Sequence, residues 1–318
     1  MCDYWATVVP TYIENWPRNL CNLSIAQVDI PLTIDDAKRL GSNIIELGCG
    51  FVMTDDERKQ ASEAAKAAHR NIAATFAQKF MGEPKADELP VEFPQERWEP
   101  EDIGDVRRRV TEAAAKFPRG AFVRLGSRSP KDSWLGQSEG FKVTAGDGKD
   151  PLRFMLDCSE RVADDLAQAI AHEYAPHIFV REWLEFPDSM EFRCFMRGRK
   201  LVGISQYQYH DYFPELHERG ERQRLQWIIE TFFESQFRDA CHLDDVVFDV
   251  FVKSRDVASN VTINECRLIE INPFFQWTDP CLFDWRNEGD FDGSFRLNET
   301  PPKVRERDTW GDELESET

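Results

Sequence analysis

Two short stretches of the sequence decide the fold: Val246-Val247-Phe248-Asp249-Val250-Phe251-Val252 and Arg267-Leu268-Ile269-Glu270-Ile271-Asn272-Pro273. Each is rich in β-branched or aromatic residues, which is typical of a buried strand. Each also contains a carboxylate in its middle. Because an isolated buried carboxylate is energetically costly, both acids require a cation or a metal ion nearby.

The spacing of these acids predicts a metal site. Alternate residues of a strand face the same side, so Glu270 and Asn272 share a face. If the two strands pair, Asp249 joins them, and the three side chains offer carboxylate and amide oxygens to one point. Such hard donors are typical of Mg²⁺ bound together with nucleotide phosphates. The alternative is that Asp249 and Glu270 are held in ion pairs by Arg193 or Arg181.

Cations interrupt other apolar strands. Arg124, Arg181 and Arg193 each lie within a predicted strand, and Arg128 and Lys131 lie on the loop after the first of them. Arginine suits multidentate contacts to phosphate in a partly buried cleft. Each residue alone is equally well explained as part of a solvated strand face. Three arginines in apolar strands of an acidic chain together indicate an anionic ligand.

The charge balance restricts the partners. The chain has 318 residues, with 39 Lys and Arg against 58 Asp and Glu, which gives a net charge of −19. A field of this sign repels nucleic acid and anionic membranes. It suits a protein that handles small anions in a shielded cleft, or one that meets a basic protein partner.

The sequence also predicts a cytoplasmic protein. Met1-Cys2-Asp3-Tyr4-Trp5 lacks the basic start and apolar core of a signal peptide. No apolar run approaches the ~20 residues of a membrane helix. The 8 cysteines are widely spaced, and this spacing favours reduced thiols over disulfides or zinc knuckles.

The first 117 residues are predicted to be mainly helical. Thr54 to Glu57 forms a capping-box pattern before an Ala-rich helix that reaches Phe80, and a Pro-rich loop covers residues 82–101. Thr33 to Asp36 repeats the cap pattern, with Gly41 placed to end that helix. A further helix is predicted from Ile103 to Phe117.

From Pro118 onward strands and helices mix, which predicts the α+β class. Strands are expected at residues 121–125, 177–184, 190–196, 201–206, 246–252 and 267–272. Arg197-Gly198-Arg199-Lys200 predicts a hairpin turn. A Ser159-capped helix and an amphipathic helix from Leu225 to Phe237 complete the pattern. Segments 126–136 and 140–151 are expected to be flexible loops, ordered by nucleotide.

Several common catalytic motifs are missing. The sequence has no Gly-x-x-x-x-Gly-Lys-Ser/Thr, no Gly-x-Gly-x-x-Gly after a strand and no Gly-x-Ser-x-Gly. His172-Glu173 is followed by His177, one residue too far for a His-Glu-x-x-His zinc motif. Dehydrogenase, esterase and protease functions therefore lose their usual support.

A set of motifs in the second half resembles a known family. They are Val180-Arg181-Glu182-Trp183, Glu191-Phe192-Arg193-Cys194-Phe195, Lys200 to Gln206, Ile269 to Phe274, Thr278-Asp279-Pro280 and Leu282-Phe283-x-Trp285. Between about Phe122 and Trp285, they resemble the ATP-grasp proteins related to cell division cycle protein 123. The resemblance implies an ATP-grasp fold, in which two α+β lobes grip Mg·ATP, preceded here by the helical region.

The resemblance implies domains and residue roles. The expected domains are the helical region 1–117, a first lobe 118–184, a second lobe 185–297 with the metal site, and a polar tail 298–318. Asp249, Glu270 and Asn272 are expected to hold magnesium, and Arg193 to contact the terminal phosphates as the candidate catalytic residue. The expected ATP-binding residues are Arg124, Arg128, Lys131, Arg181, Glu182, Trp183, Leu184 and Arg193, with Trp183 and its neighbours forming the hinge that meets adenine.

The chain departs from this family at two cations. Where eukaryotic members have Pro-Lys-Leu, this chain has Val123-Arg124-Leu125. Where those members tend to have Arg in the following loop, it has Lys131. The chain thus has an arginine where those members have a lysine, and a lysine where they tend to have an arginine. The N-terminal 117 residues match the eukaryotic pattern poorly, so the resemblance does not by itself imply an initiation-factor-binding surface.

Three functions follow as hypotheses. The first is an ATP-dependent ligase that activates a carboxylate or phosphate group on a protein, a peptide or another acceptor. The second is a non-catalytic assembly chaperone for a translation factor complex, since the eukaryotic family members assemble translation initiation factor 2. The third is ATP-dependent ligation or modification of RNA, which the net charge disfavours.

Overall fold

A computed structural model describes residues 4–47, 103–157, 159–258, 261–287 and 289–301. The chain divides into two compact units, Met1–Glu185 and Phe186–Thr318. Each contains helices and an antiparallel or mixed sheet, so the predicted α+β class is confirmed. The predicted Ala-rich helix, the Pro-rich loop and most of the polar tail lie outside the described residues.

The first unit contains a three-stranded sheet with helices. The strands are β1 Gln27–Pro31, β2 Ala121–Leu125 and β3 His177–Glu182, in the order β1-β3-β2. The helices are α1 Tyr4–Val8, α2 Arg18–Cys21, α3 Ile34–Leu47, α4 Gly104–Ala114, α5 Trp134–Glu139, α6 Pro151–Leu156 and α7 Glu160–Ala171. Strand β1 was not predicted, and it pairs with β3.

The core of the first unit lies on one face of its sheet. Alternate residues of β2 and β3, among them Val123, Leu125 and Val180, pack with Leu40 of α3 and Leu166 of α7. Because strand residues alternate between faces, the neighbouring positions Arg124 and Arg181 lie on the opposite face of the sheet.

Helix α3 begins where the sequence predicts, but it continues past the predicted end at Gly41. The Thr33 and Asp36 side chains each accept a 3.0 Å hydrogen bond from the other residue's backbone N–H, which is a capping box. Gly41 does not stop the helix, so that prediction is wrong. A glycine costs about 1 kcal/mol inside a helix, and burial of Leu40 and Ile44 on either side of it offsets that cost.

Short helices interrupt the segments that were predicted as loops. Ser133 caps α5 by accepting the Gly136 N–H at 3.2 Å, and Asp150 caps α6 by accepting the Leu152 N–H at 3.1 Å. The predicted Ser159 cap of α7 is confirmed. Helices of six residues carry too little periodicity to be read from sequence.

The second unit contains a five-stranded sheet in the order β7-β6-β4-β5-β8. The strands are β4 Glu191–Arg197, β5 Lys200–Gln206, β6 Val246–Ala258, β7 Val261–Pro273 and β8 Phe295–Arg296, and the helices are α8 Glu221–Phe232 and α9 Arg238–Ala240. The two acid-bearing strands pair with each other, which was the condition for a shared site, and both extend further than expected.

The predicted hairpin turn joins β4 and β5. Arg197 pairs with Lys200, and the two residues between them have positive φ, 53° at Gly198 and 60° at Arg199. Two consecutive left-handed residues make the turn that matches the twist of paired strands. The turn residues are further held by carboxylates, since Asp245 accepts the Gly198 N–H at 2.6 Å.

The two faces of this sheet differ in chemistry. One face packs against α8 and the π-helical turn Phe233–Phe237 that follows it, with Phe237 stacked on Phe248 at 3.9 Å between ring centroids. The other face has an aromatic cluster that includes Phe195 and Phe283. Arg193, Asp249 and Glu270 lie on this second face, because they alternate with the residues packed against α8.

No helix among the described residues is long and apolar enough to span a membrane. The 5 cysteines that the structure describes with their side chains are all free thiols: Cys21, Cys194, Cys241, Cys266 and Cys281.

Candidate functional site

A row of polar side chains crosses the sheet of the second unit. Ser205, Arg193, Asp249 and Glu270 occupy directly paired positions on β5, β4, β6 and β7, so all four lie on the same face. We call these four residues the polar row. Directly paired residues have side chains close together, and the row therefore concentrates one cation and two carboxylates within an otherwise apolar sheet.

Arg193 and Asp249 form the centre of the polar row. The guanidinium donates from Nε to Oδ1 and from Nη2 to Oδ2, both at 2.8 Å. Its Nη1 donates to the Asp279 backbone oxygen at 2.9 Å, and its Cζ lies 4.9 Å from the centre of the Tyr207 ring. The Arg193 and Asp249 side chains are only 7% and 1% exposed. The ion-pair alternative for Asp249 is thus realised in the structure.

Burial and pairing act in opposite directions on Arg193. Burial disfavours the charged guanidinium, but the Asp249 carboxylate more than offsets this, so the pKa of Arg193 lies well above its ordinary value. The Arg193 guanidinium therefore stays positively charged although it is buried. Fixed ionised groups in a buried position are the preorganised charges that phosphate chemistry requires.

Glu270 and Asn272 extend the acidic end of the polar row. Glu270 pairs directly with Asp249, and Asn272 pairs with Val247 on the same face. The Asn272 amide donates to the Glu270 carboxylate at 3.5 Å. Both are part-buried, whereas Asp249 is fully buried. The structure therefore brings Asp249, Glu270 and Asn272 together, as the strand pattern predicts.

This donor set fits a magnesium ion. The described residues contain no group of three or more His, Cys, Asp or Glu side chains arranged to hold a metal. Two carboxylates with one amide oxygen are nevertheless hard donors of the kind that Mg²⁺ takes together with phosphate. Each Asp249 oxygen accepts one bond from Arg193, and a carboxylate oxygen has a second lone pair. The metal role of the three residues stays a prediction.

Arg124 and Arg181 lie on one face of the sheet in the first unit. Arg124 Nε donates to the Leu125 backbone oxygen at 2.9 Å, and Nη2 reaches the Ser127 oxygen at 3.5 Å. Arg181 Nη2 donates to the Ser24 hydroxyl at 2.7 Å. Both arginines are 3% exposed. They are buried cations that brace the start of the loop after β2 and the N-terminal segment.

The two loop cations differ in their surroundings. Arg128 is held by Asp165, which accepts from Nε at 2.8 Å and also from Nη2. The Arg128 Nη2 donates to the Arg161 backbone oxygen as well, at 3.3 Å. Lys131 is exposed on the same loop. Arg128 therefore ties the loop to α7, whereas Lys131 is exposed to solvent on the same loop.

The predicted hinge residues end strand β3. Glu182 accepts from Arg119 at 2.6 Å, and the Trp183 N–H donates to the Gly120 oxygen at 2.9 Å. The Trp183 ring lies 6.5 Å from the Phe122 ring, and Trp183 and Leu184 are both part-buried. The first compact unit ends at Glu185, directly after these residues.

Some residues around the candidate site were missed by sequence reasoning. Asp165 lies three residues after Val162, on the apolar face of α7, so helical periodicity could have identified it as a buried partner. Tyr207 and the Asp279 backbone contact Arg193 from loops. The motif Thr278-Asp279-Pro280 includes Asp279, but neither it nor any pattern at Tyr207 predicts contact with Arg193, because that contact joins distant chain segments.

Comparison with known proteins identifies the family. The model of the D123 family matches residues 43–305, and the chain belongs to this family. The fold is that of Cdc123 from Schizosaccharomyces pombe, which has a TM-score of 0.62 at 19% sequence identity and covers 94% of this chain and 100% of that one.

Relatives of known name share part of the sequence. The translation initiation factor eIF2 assembly protein of Xenopus laevis is 28% identical over 188 residues, covering 56% of this chain and 51% of that protein. Cell division cycle protein 123 of Eremothecium gossypii is 29% identical over 194 residues, covering 58% and 50% respectively. The chain therefore spans about half the length of the curated relatives that it matches.

Proposed function

We propose that this chain is an ATP- and magnesium-binding assembly factor for translation initiation factor 2. The observation that carries the proposal is membership of the D123 family over residues 43–305, together with relatives named as eIF2 assembly proteins. Assembly of a protein complex requires a protein client, which the net charge of −19 permits if the client is basic where it binds.

The polar row supports the nucleotide part of the proposal. Magnesium at Asp249, Glu270 and Asn272 would offset the negative charge of the nucleotide phosphates. The buried pair holds the Arg193 guanidinium in one orientation, since three of its N–H groups have fixed acceptors. Arg193 in turn fixes the Asp249 carboxylate, so both groups are preorganised and need not reorient when a ligand binds.

The cations of the first unit support binding of an anionic ligand. Arg124 is anchored through backbone oxygens, while Lys131 is exposed on the adjacent loop. The loop itself is fixed at its end, because Asp132 accepts from the Ser159 hydroxyl at 2.7 Å and from the Arg161 N–H at 3.0 Å. Lys131 is thus an exposed cation next to an anchored residue.

A second candidate function is an ATP-dependent ligase, which the polar row favours. A buried arginine next to carboxylate and amide donors is the type of arrangement that stabilises charge during phosphoryl transfer. The two functions share nucleotide binding and differ in turnover. Release of ADP or AMP that rises with a protein, peptide or RNA acceptor supports the ligase, and ATP binding without acceptor-dependent release supports the assembly factor.

The direct test combines binding and assembly. Calorimetric titration of the full chain with ATP, with and without Mg²⁺, is followed by reconstitution of eIF2 from its separate subunits with the chain present or absent. The proposal expects magnesium-dependent ATP binding and a higher yield of complex. Glu218→Gln removes a carboxylate at an exposed position of the second unit, outside the polar row. As a control variant, it should bind ATP and assemble eIF2 like the wild type. A chain that binds neither ATP nor any eIF2 subunit overturns the proposal.

A further inference from the structure

Trp227 projects into solvent from the middle of helix α8. Trp227 is 63% exposed. Among the described residues, the other large apolar residues are buried or part-buried. The neighbouring residues Leu225, Ile228 and Ile229 are buried beneath the helix. Trp227 is therefore on the solvent side of an amphipathic helix, where packing within the unit gives no reason for a tryptophan.

Polar residues surround the indole along the helix. Gln223 and Thr231 lie one turn before and one turn after Trp227, and both are exposed. Glu230 lies three residues after Trp227 and is therefore next to it on the helix surface. The Glu230 carboxylate accepts a hydrogen bond from Gln226 at 2.8 Å and is only part-buried. We call Gln223, Trp227, Glu230 and Thr231 the Trp227 surface.

The arginines near this surface are already paired. Arg224 is held by Glu221 through Nε at 2.7 Å and Nη2 at 2.5 Å. Arg238, beyond the π-helical turn, is held by Glu234. Each positive charge is thus matched by an adjacent carboxylate, and Glu230 adds an acceptor beside the exposed indole. The surface combines a π face with a carboxylate, in a protein of net charge −19.

We propose that the Trp227 surface docks a basic protein segment, with an arginine or lysine of that segment stacked on the indole and hydrogen-bonded to Glu230. Among aromatic side chains, tryptophan makes the strongest cation–π interaction. Trp and Arg are also enriched among the few residues that carry most of the binding energy of an interface. Nucleic acid is disfavoured because its phosphates meet Glu230 and the protein's negative field. The inference rests on the proposed function, since an assembly factor needs a surface for its client.

The test compares variants of the full chain in binding to purified eIF2 subunits, measured by calorimetry or biolayer interferometry. Trp227→Ala is expected to weaken binding of one subunit by about tenfold or more, as expected for an interface anchor. Glu230→Lys is expected to weaken it as well, and Glu218→Gln, at an exposed position outside the Trp227 surface, is the matched control. Both Trp227→Ala and Glu218→Gln should melt close to the wild type, because both residues are exposed.

The outcomes separate this inference from the proposed function. If the wild type binds a subunit and both Trp227→Ala and Glu230→Lys bind equally well, the surface assignment is wrong and the assembly function stands. If no subunit binds the wild type, the proposed function fails and this inference fails with it. If single-stranded RNA displaces the subunit from the wild type but not from Trp227→Ala, the surface is a nucleic-acid site, which overturns the basic-segment assignment.

Discussion

Arg193 and Asp249 lie directly opposite each other on neighbouring antiparallel strands, and two parallel hydrogen bonds of 2.8 Å join the guanidinium to the carboxylate. Both groups are almost completely buried. The pair gives Asp249 a role in stability through Arg193, which is distinct from the magnesium-binding role proposed for it.

Asp249→Ala is expected to lower the free energy of unfolding by about 3–5 kcal/mol, because it leaves the Arg193 charge buried without its partner. Urea unfolding followed by circular dichroism measures this loss. A double variant, Asp249→Leu with Arg193→Met, removes both charges and should recover most of the stability. Equal stability of Asp249→Ala and the wild type would show that the pair does not contribute to folding.

Glu270→Gln is expected to abolish magnesium-dependent ATP binding while leaving the melting temperature close to that of the wild type. Glu270 is part-buried. The Arg193 guanidinium keeps its bonds to both Asp249 oxygens and to the Asp279 backbone oxygen when the Glu270 charge is removed. Asn272→Ala should have the same direction of effect. Calorimetry with ATP at several Mg²⁺ concentrations is the measurement.

Glu265→Gln is the matched control for this experiment. It lies on the same strand as Glu270, and its carboxylate is paired with Arg267. Unchanged nucleotide affinity in both Glu270→Gln and Asn272→Ala, with the Mg²⁺ dependence intact, would remove the metal assignment.

Arg124→Lys is expected to fold but to bind ATP more weakly, by about 1–3 kcal/mol if a hydrogen bond to a charged group is lost. The structure adds a second expectation. Since Arg124 donates to the Leu125 and Ser127 backbone oxygens, the shorter ammonium should also lower the melting temperature. Melting and ATP titration of the same variant separate the effects, and reduced stability with normal affinity would show a purely structural arginine.

Gly126→Ala is expected to destabilise the first unit by about 1–3 kcal/mol, as overpacking does in well-packed sites. A Cβ at this position would lie 1.7 Å from Glu14 Oε2. That oxygen is buried without a hydrogen-bond partner, and Tyr174 donates to the other Glu14 oxygen at 3.0 Å. Removing the obstructing carboxylate with Glu14→Ala should therefore rescue Gly126→Ala, as differential scanning fluorimetry can show. Additive losses in the double variant would contradict the contact.

The His177–Asp29 pair should make stability fall as pH rises. The Asp29 Oδ1 atom lies 2.7 Å from His177 Nδ1. The hydrogen bond between them raises the pKa of His177. A group with a raised folded-state pKa stabilises fully below its unfolded pKa, about 6.5 for histidine, and loses this contribution as pH rises through the folded value. Urea unfolding from about pH 5.5 to 8.5 measures the slope.

Asp29→Asn isolates the histidine contribution. Burial also raises the pKa of Glu14 above its ordinary value of about 4.5. Glu14 therefore adds to the fall of stability with rising pH, and its contribution begins near that ordinary pKa. Replacing Asp29 removes the main partner of His177 and should flatten the slope above about pH 6.5. An identical slope in the wild type and Asp29→Asn would assign the whole effect to other groups.

Much of the fold was predictable because its signals are local. The capping box of α3, the Ser159 cap of α7, the hairpin turn at Gly198 and the alternation of β4 and β6 each depend on a few consecutive residues. Local patterns also predicted that Asp249, Glu270 and Asn272 share a face, since strand geometry fixes the direction of every second side chain. The family resemblance was likewise carried by short motifs.

The sequence by itself determined the α+β class, the two acid-bearing strands and the set of candidate cations. The tertiary structure alone decided which of these charges meet. It placed Arg193 against Asp249 and Arg128 against Asp165, it brought β1 into the first sheet, and it carried α3 through Gly41. The physical reason is that these outcomes depend on burial and on partners far away in the chain, whereas sequence patterns report only the neighbours of each residue.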